Sequence, residues 1–115
     1  MKIRRSTLTP FDFEGLGIVD YTEGKDLSSS IAEINVPPGV RHRRAWSTRS
    51  DKYYVVLEGL LTFEVDGEFF ELEPGDCCIV PHGTHFSYHN TSAATARTLL
   101  MHTPRFELEA ERFEE

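Results

Sequence analysis

Between residues 41 and 54 the chain reads R-H-R-R-A-W-S-T-R-S-D-K-Y-Y, a run of basic side chains ending in two phenols. Arginine and lysine hold anions, and lysine, tyrosine and histidine move protons. A lysine removed from water has a lowered pKa and serves as a base or an amine nucleophile. Five histidines, at 42, 82, 85, 89 and 102, offer a second chemistry as metal ligands. His85 and His89 share a face if they lie on one strand, but roughly 13 Å separates them, too far for one ion without intervening ligands. His82 lies inside a Pro-His-Gly turn and is the histidine least suited to chemistry.

The segments that position these residues are short. Ser28 to Val36 alternates apolar and polar, as a half-buried strand does, and Pro37-Pro38-Gly39 stops it. Tyr53 to Leu57 is a strand by composition. Leu60–Val65 and Glu68–Leu72 flank Asp66-Gly67, a strong hairpin signal. Short strands follow at Cys77–Val80, Phe86–His89 and Ala96–His102, each bounded by turn residues. Residues 1–16 read as an entry arm, and the tail from Arg105 as a short helix or a frayed acidic end. Many short strands with no long helical period predict one all-β domain over residues 1–115, a barrel or sandwich.

Composition narrows the function. The chain carries 12 Lys+Arg against 19 Asp+Glu, a formal charge of −7, which opposes non-specific nucleic-acid binding. No apolar run approaches the roughly 20 residues that span a bilayer, and the N-terminus lacks the features of a signal peptide. Cys77 and Cys78 are neighbours and point to opposite faces of a strand, which predicts two free thiols and a cytoplasmic location.

Two stretches carry a resemblance. Gly39 and Gly59 frame the first, which ends in Y-Y-V-V-L-E-G. Gly75, Pro81, Gly83 and Asn90 punctuate the second, and the V-D-G-E-F-F-E-L-E-P-G-D hairpin lies between them. Over residues 39–59 and 75–90 the chain resembles the cupin family, whose fold is a double-stranded β-helix or jelly-roll barrel. That fold would leave a short N-terminal arm and a C-terminal tail outside the motifs. The resemblance implies a homodimer formed through an outward sheet face. Here that face would hold Trp46, Tyr53, Val55 and Leu57, unless the arm covers it with Phe11 and Phe13. Metal-binding cupins hold one divalent ion with two histidines and a glutamate of the first motif and a histidine of the second. The matching positions here are Ala45, Ser47, Lys52 and Phe86. A methyl group and a phenyl ring offer no lone pair, serine is a poor ligand, and an ammonium repels a cation. Shifting the register by one residue substitutes Trp46 and Thr48, which fail as well.

If those four positions face inward, strand alternation places Arg43, and Arg41 beyond it, inside with Ala45 and Ser47. Lys52 brings Tyr54 and Val56, and Phe86 brings Tyr88 and Asn90. The expected site binds a small sugar-like or anionic ligand through Arg43, Ser47, Lys52, Phe86, Tyr88 and His102, with no cofactor. If it is catalytic, Lys52, Tyr54 and Tyr88, with His42 or His102, carry protons in isomerase- or epimerase-like chemistry. Metal-free epimerases of this barrel type use a His–Tyr pair, which the sequence leaves unplaced. A metalloenzyme is the alternative: a bulge turns His85 inward to join His42 and His102 around Zn, Fe, Ni or Mn, with Glu58 or Asp51 as carboxylate. A ligand sensor or structural dimer is the third possibility.

Overall fold

The computed structural model describes residues 1–114. Its eleven strands are β1 (Phe11–Phe13), β2 (Leu16–Asp20), β3 (Ser30–Val36), β4 (Arg41–Ser47), β5 (Asp51–Glu58), β6 (Leu61–Val65), β7 (Glu68–Leu72), β8 (Cys77–Val80), β9 (Phe86–His89), β10 (Ala96–Thr103) and β11 (Glu111–Phe113). They form two antiparallel sheets. The first has the order β1-β2-β3-β10-β5-β8 and the second β11-β4-β9-β6-β7. The inward faces of the two sheets close on one core, as the all-β jelly-roll expectation requires.

Local chemistry explains the turns. Asp66 and Gly67 both have positive φ (51° and 84°), the geometry of a two-residue hairpin loop, and they bring Val65 opposite Glu68. Gly59, at the end of β5, has φ +74°, and a Cβ there would lie 2.8 Å from the Ala96 Cα. Only glycine fits that crossing of β5 and β10.

Alternation along β5 buries Lys52, Tyr54 and Val56, and along β9 it buries Phe86 and Tyr88. Val36, Val56, Leu61 and Ala96 are almost fully excluded from water and fill one end of the barrel. Tyr54, Phe63 and Tyr88 pack with ring centroids 4.9–5.5 Å apart and floor the other end. Above that floor the barrel is open.

Two segments depart from the sequence expectation. The tail forms no α-helix. A single 3-10 turn at Leu108–Ala110 leads into β11, which adds to β4 through Glu111↔Ser47 and Phe113↔Ala45. The entry arm contains a 3-10 turn at Arg5–Thr7 and β1, and its Phe11 and Phe13 line the barrel opening instead of covering an outer face.

Candidate functional site

The strand that decides the site is β4. On β9, Tyr88 and Phe86 are two residues apart, whereas their partners on β4, His42 and Ala45, are three apart. The extra residue is a β-bulge at Arg43–Arg44, and a bulge reverses which face the residues before it occupy. Ala45 and Ser47 are buried as alternation predicts, but His42 now faces inward, and Arg41, Arg43 and Arg44 are exposed. Arg43 is therefore not a cavity residue. Its guanidinium pairs with both Glu14 carboxylate oxygens at 2.7 and 2.6 Å and lies 4.5 Å from the Phe113 ring centroid.

The cavity has a volume of about 250 Å³. Its polar wall includes His42, Lys52, Tyr54, Tyr88, His102 and Glu111, with Asp20 and Ser30 also on the lining, and its apolar wall includes Phe13, Leu16, Ile34, Leu100 and Phe113. Lys52, His102 and Glu111 form a buried chain. The Lys52 Nζ donates to Glu111 Oε1 at 2.6 Å and to His102 Nε2 at 2.8 Å. It also lies 5.4 Å from the Phe86 ring centroid. Burial lowers the Lys52 pKa, and the charge of Glu111 and its hydrogen bond oppose that shift. Burial, and secondarily the Lys52 charge, lowers His102 to about 3, so its imidazole is neutral at physiological pH.

His42 is held in one tautomer. Its Nδ1 lies 2.6 Å from the Arg43 carbonyl oxygen, which can only accept, so the proton is on Nδ1 and Nε2 is bare. Burial lowers its pKa to about 4, against the opposing effect of that backbone bond. The ring sits 5.1 Å from Tyr88 and 5.2 Å from Phe86, centroid to centroid. Burial raises the pKa of both Tyr54 and Tyr88, keeping them as phenols. The Tyr88 hydroxyl and Glu111 Oε2 are buried without any hydrogen-bond partner. A bare imidazole base and a protonated phenol thus stand side by side, on paired positions of β4 and β9.

Of the residues expected in the site, Lys52, Tyr54, Tyr88, His42 and His102 are together on the cavity wall. Ser47 faces inward but lies away from the cavity, and its hydroxyl accepts from the Ser50 amide at 2.9 Å in a tight turn. Phe86 is fully buried beneath the cavity and supports His42 and Lys52 rather than offering a stacking face. His85 lies on the outside, its ring stacked on Trp46 at 4.1 Å and 4°. His42, His85 and His102 therefore do not converge, and no three His, Cys, Asp or Glu side chains among the described residues are placed to hold an ion. Asp51 pairs with His82 at 2.9 Å, and Glu58 is exposed beside Arg97. Ala45 and Phe86 bring only hydrocarbon to the family's metal position, Ser47 is occupied by backbone amides, and Lys52 is cationic; these residues do not fit a divalent metal. Glu111 lies in the tail, whose sequence suggests a short helix or a frayed end and not a strand. The signal for a strand is the alternation of Glu111 and Phe113 about Arg112.

The Cupin domain family profile matches residues 32–102. The chain belongs to the cupin family. Among curated proteins, none matches this sequence significantly. Among solved structures, Streptomyces PAC13 with uridine superposes with a TM-score of 0.86 at 22% identity, over 99% of this chain and 90% of that one. The same protein is described as a nucleoside dehydratase. KdgF from Halomonas sp. gives 0.82 at 19% identity, covering 91% of this chain and 94% of its own. A cupin-superfamily sugar phosphate isomerase from Silicibacter pomeroyi gives 0.78 at 19%, covering 90% and 75%. At these identities the likeness is one of cupin fold. No helix of the described cupin chain is long and apolar enough to cross a membrane.

Proposed function

We propose that the cavity binds an uncharged, hydroxyl-bearing small molecule of the sugar or nucleoside type and rearranges it by metal-free acid–base chemistry. The observation that carries this reading is His42, with a bare Nε2, and Tyr88, with an unpartnered hydroxyl, on one cavity wall with ring centroids 5.1 Å apart. A small anion is disfavoured as ligand. Arg43 is spent outside on Glu14, and the Lys52 charge is matched by Glu111 at 2.6 Å. An anion would meet a wall with no free positive charge and would lose its hydration.

In this reading His42 Nε2 takes a proton from a carbon made acidic by a neighbouring carbonyl. Tyr88 or Tyr54 gives a proton to the oxygen on which charge or a leaving hydroxyl develops, and the Lys52 ammonium stabilises that oxygen. Returning that proton from His42 to the adjacent carbon on the same face, while the neighbouring hydroxyl gives its proton to the tyrosinate, completes an isomerisation, and losing hydroxide as water completes a dehydration. The nucleoside dehydratase and the sugar phosphate isomerase of like fold make both outcomes reasonable classes. The protein is further proposed to act as a homodimer.

The test is a thermal-shift and calorimetric panel of neutral nucleosides, free sugars, sugar phosphates and small carboxylic acids. Neutral nucleosides or sugars are expected to raise the melting temperature, and Tyr88→Phe to lower turnover of a carbonyl-bearing sugar by about 10²-fold or more. A panel in which only phosphates or carboxylates bind would overturn the reading. Binding of a carbonyl-bearing sugar or an oxidised nucleoside without any product would favour a ligand sensor.

A further inference from the structure

We infer that Glu111 reads a vicinal diol on the ligand. The inference rests on the proposed uncharged sugar or nucleoside ligand and specifies how it is recognised. Glu111 is carried by β11, the last strand added to the second sheet, opposite Ser47. Alternation turns Glu111 and Phe113 to the cavity and Arg112 outward. The Glu111 side chain is only 6% exposed.

Its two oxygens are used unequally. Oε1 takes the 2.6 Å bond from Lys52, whereas Oε2 is buried with no donor. An ionised carboxylate oxygen can only accept, so Oε2 calls for a donor from the ligand. Tyr88, on the same cavity wall, carries another buried polar atom without a partner. Lys52 has three N–H groups, of which Glu111 and His102 take two.

Adjacent hydroxyls meet all of these needs together. One donates to Glu111 Oε2 and accepts the third Lys52 N–H, and its neighbour exchanges a hydrogen bond with Tyr88. A carboxylate or phosphate would place its charge against Oε2, and an apolar group would leave Oε2 unmet.

The experiment compares uridine, 2′-deoxyuridine and 3′-deoxyuridine by calorimetric titration on the wild type and on Glu111→Gln. The amide keeps an acceptor for Lys52 but replaces the free oxygen with a donor. Wild type is expected to bind uridine about 10-fold or more tighter than either deoxynucleoside, the usual effect of a hydrogen bond to a charged group. Glu111→Gln should reduce that preference to less than about 3-fold, measured on the same scale. The paired variant Lys52→Met/Glu111→Leu removes both buried charges together and should lose the preference too, which covers the case of an unfolded single variant. Lack of preference in the wild type overturns the inference, as does its survival in both variants. If no nucleoside binds, methyl β-ribofuranoside and its 2-deoxy analogue replace them. A Glu111-dependent preference there upholds the diol and removes the nucleoside, and no binding by either class removes both.

Discussion

At the residue scale, the cavity carries groups that oppose stability. The Tyr88 hydroxyl is buried without a partner, which costs about 1–3 kcal/mol of desolvation. Tyr88→Phe is therefore expected to stabilise the free protein by about 1 kcal/mol while lowering turnover by about 10²-fold or more. Urea denaturation and a product assay read the two effects, and a destabilised variant would mean that the hydroxyl is satisfied. Lys52 behaves in the opposite way. Lys52→Met leaves Glu111 charged and unpaired in an apolar cavity, at a cost of about 3–5 kcal/mol. Replacing both partners, as Lys52→Met/Glu111→Leu, should return most of that stability. A double variant as unstable as the single one would show that packing, not charge, dominates at Lys52.

At the element scale, the strands and the Asp66-Gly67 hairpin were legible in the sequence, because alternation and turn chemistry are local. Lys52, Tyr54 and Tyr88 followed from the same alternation, since β5 and β9 are regular at those positions. His42 and Arg43 exchanged faces because a bulge adds one residue without leaving a mark that hydrophobic periodicity can register: Arg41, Arg43 and Arg44 are all polar. Glu111 was out of reach for a different reason. Its position depends on a three-residue strand that forms only against β4, held by Thr48 N–H and Oγ, each donating to the Ala110 carbonyl at 2.8 Å. The bulge leads to an unusual expectation. Deleting Arg44 restores two-for-two pairing with β9 and leaves His42 two places from Ala45, still inward. The deletion also loses the exposed Arg44 pair with Glu114, worth about 1 kcal/mol or less. The His42 pKa should stay near 4 when followed by NMR. A return to the ordinary histidine range would show that the bulge, not the alternation beyond it, holds the ring inside.

At the scale of the whole molecule, the two cavity histidines make stability depend on pH. In the unfolded chain they titrate near 6.5, and in the fold near 4 for His42 and 3 for His102. Above pH 6.5 both states hold them neutral. As the pH falls below that, only the unfolded chain takes up the protons, so stability declines by up to about 1.4 kcal/mol per unit for each histidine. Carboxylates add their own loss at lower pH. Glu33, for example, is held below its ordinary value because Arg97 and Arg5 outweigh the upward push of burial. The interval from pH 6.5 to 5 therefore isolates the histidines, and His102→Gln should flatten the urea midpoint there by about half. An unchanged slope would mean that His102 is already protonated in the fold.

The same scale raises the question of what covers the outside of the first sheet. Met101, Tyr53 and Ile79 lie in one row across β10, β5 and β8, with Leu99, Val55 and Cys77 in the next. Met101 is 43% and Ile79 55% exposed, and no charged side chain interrupts these rows. On a chain of net charge −7, we propose this uncharged face as the meeting surface of two copies, since it brings no like charges together. Light scattering should therefore give a dimer mass for the native protein at micromolar concentration. Ile79→Lys, placing a charge in the middle of the patch, should give a monomer. The cavity lies on the inward face of the same strands, so ligand binding should survive in that monomer. A wild type that is already monomeric would remove the dimer, and an Ile79→Lys dimer would move the interface elsewhere.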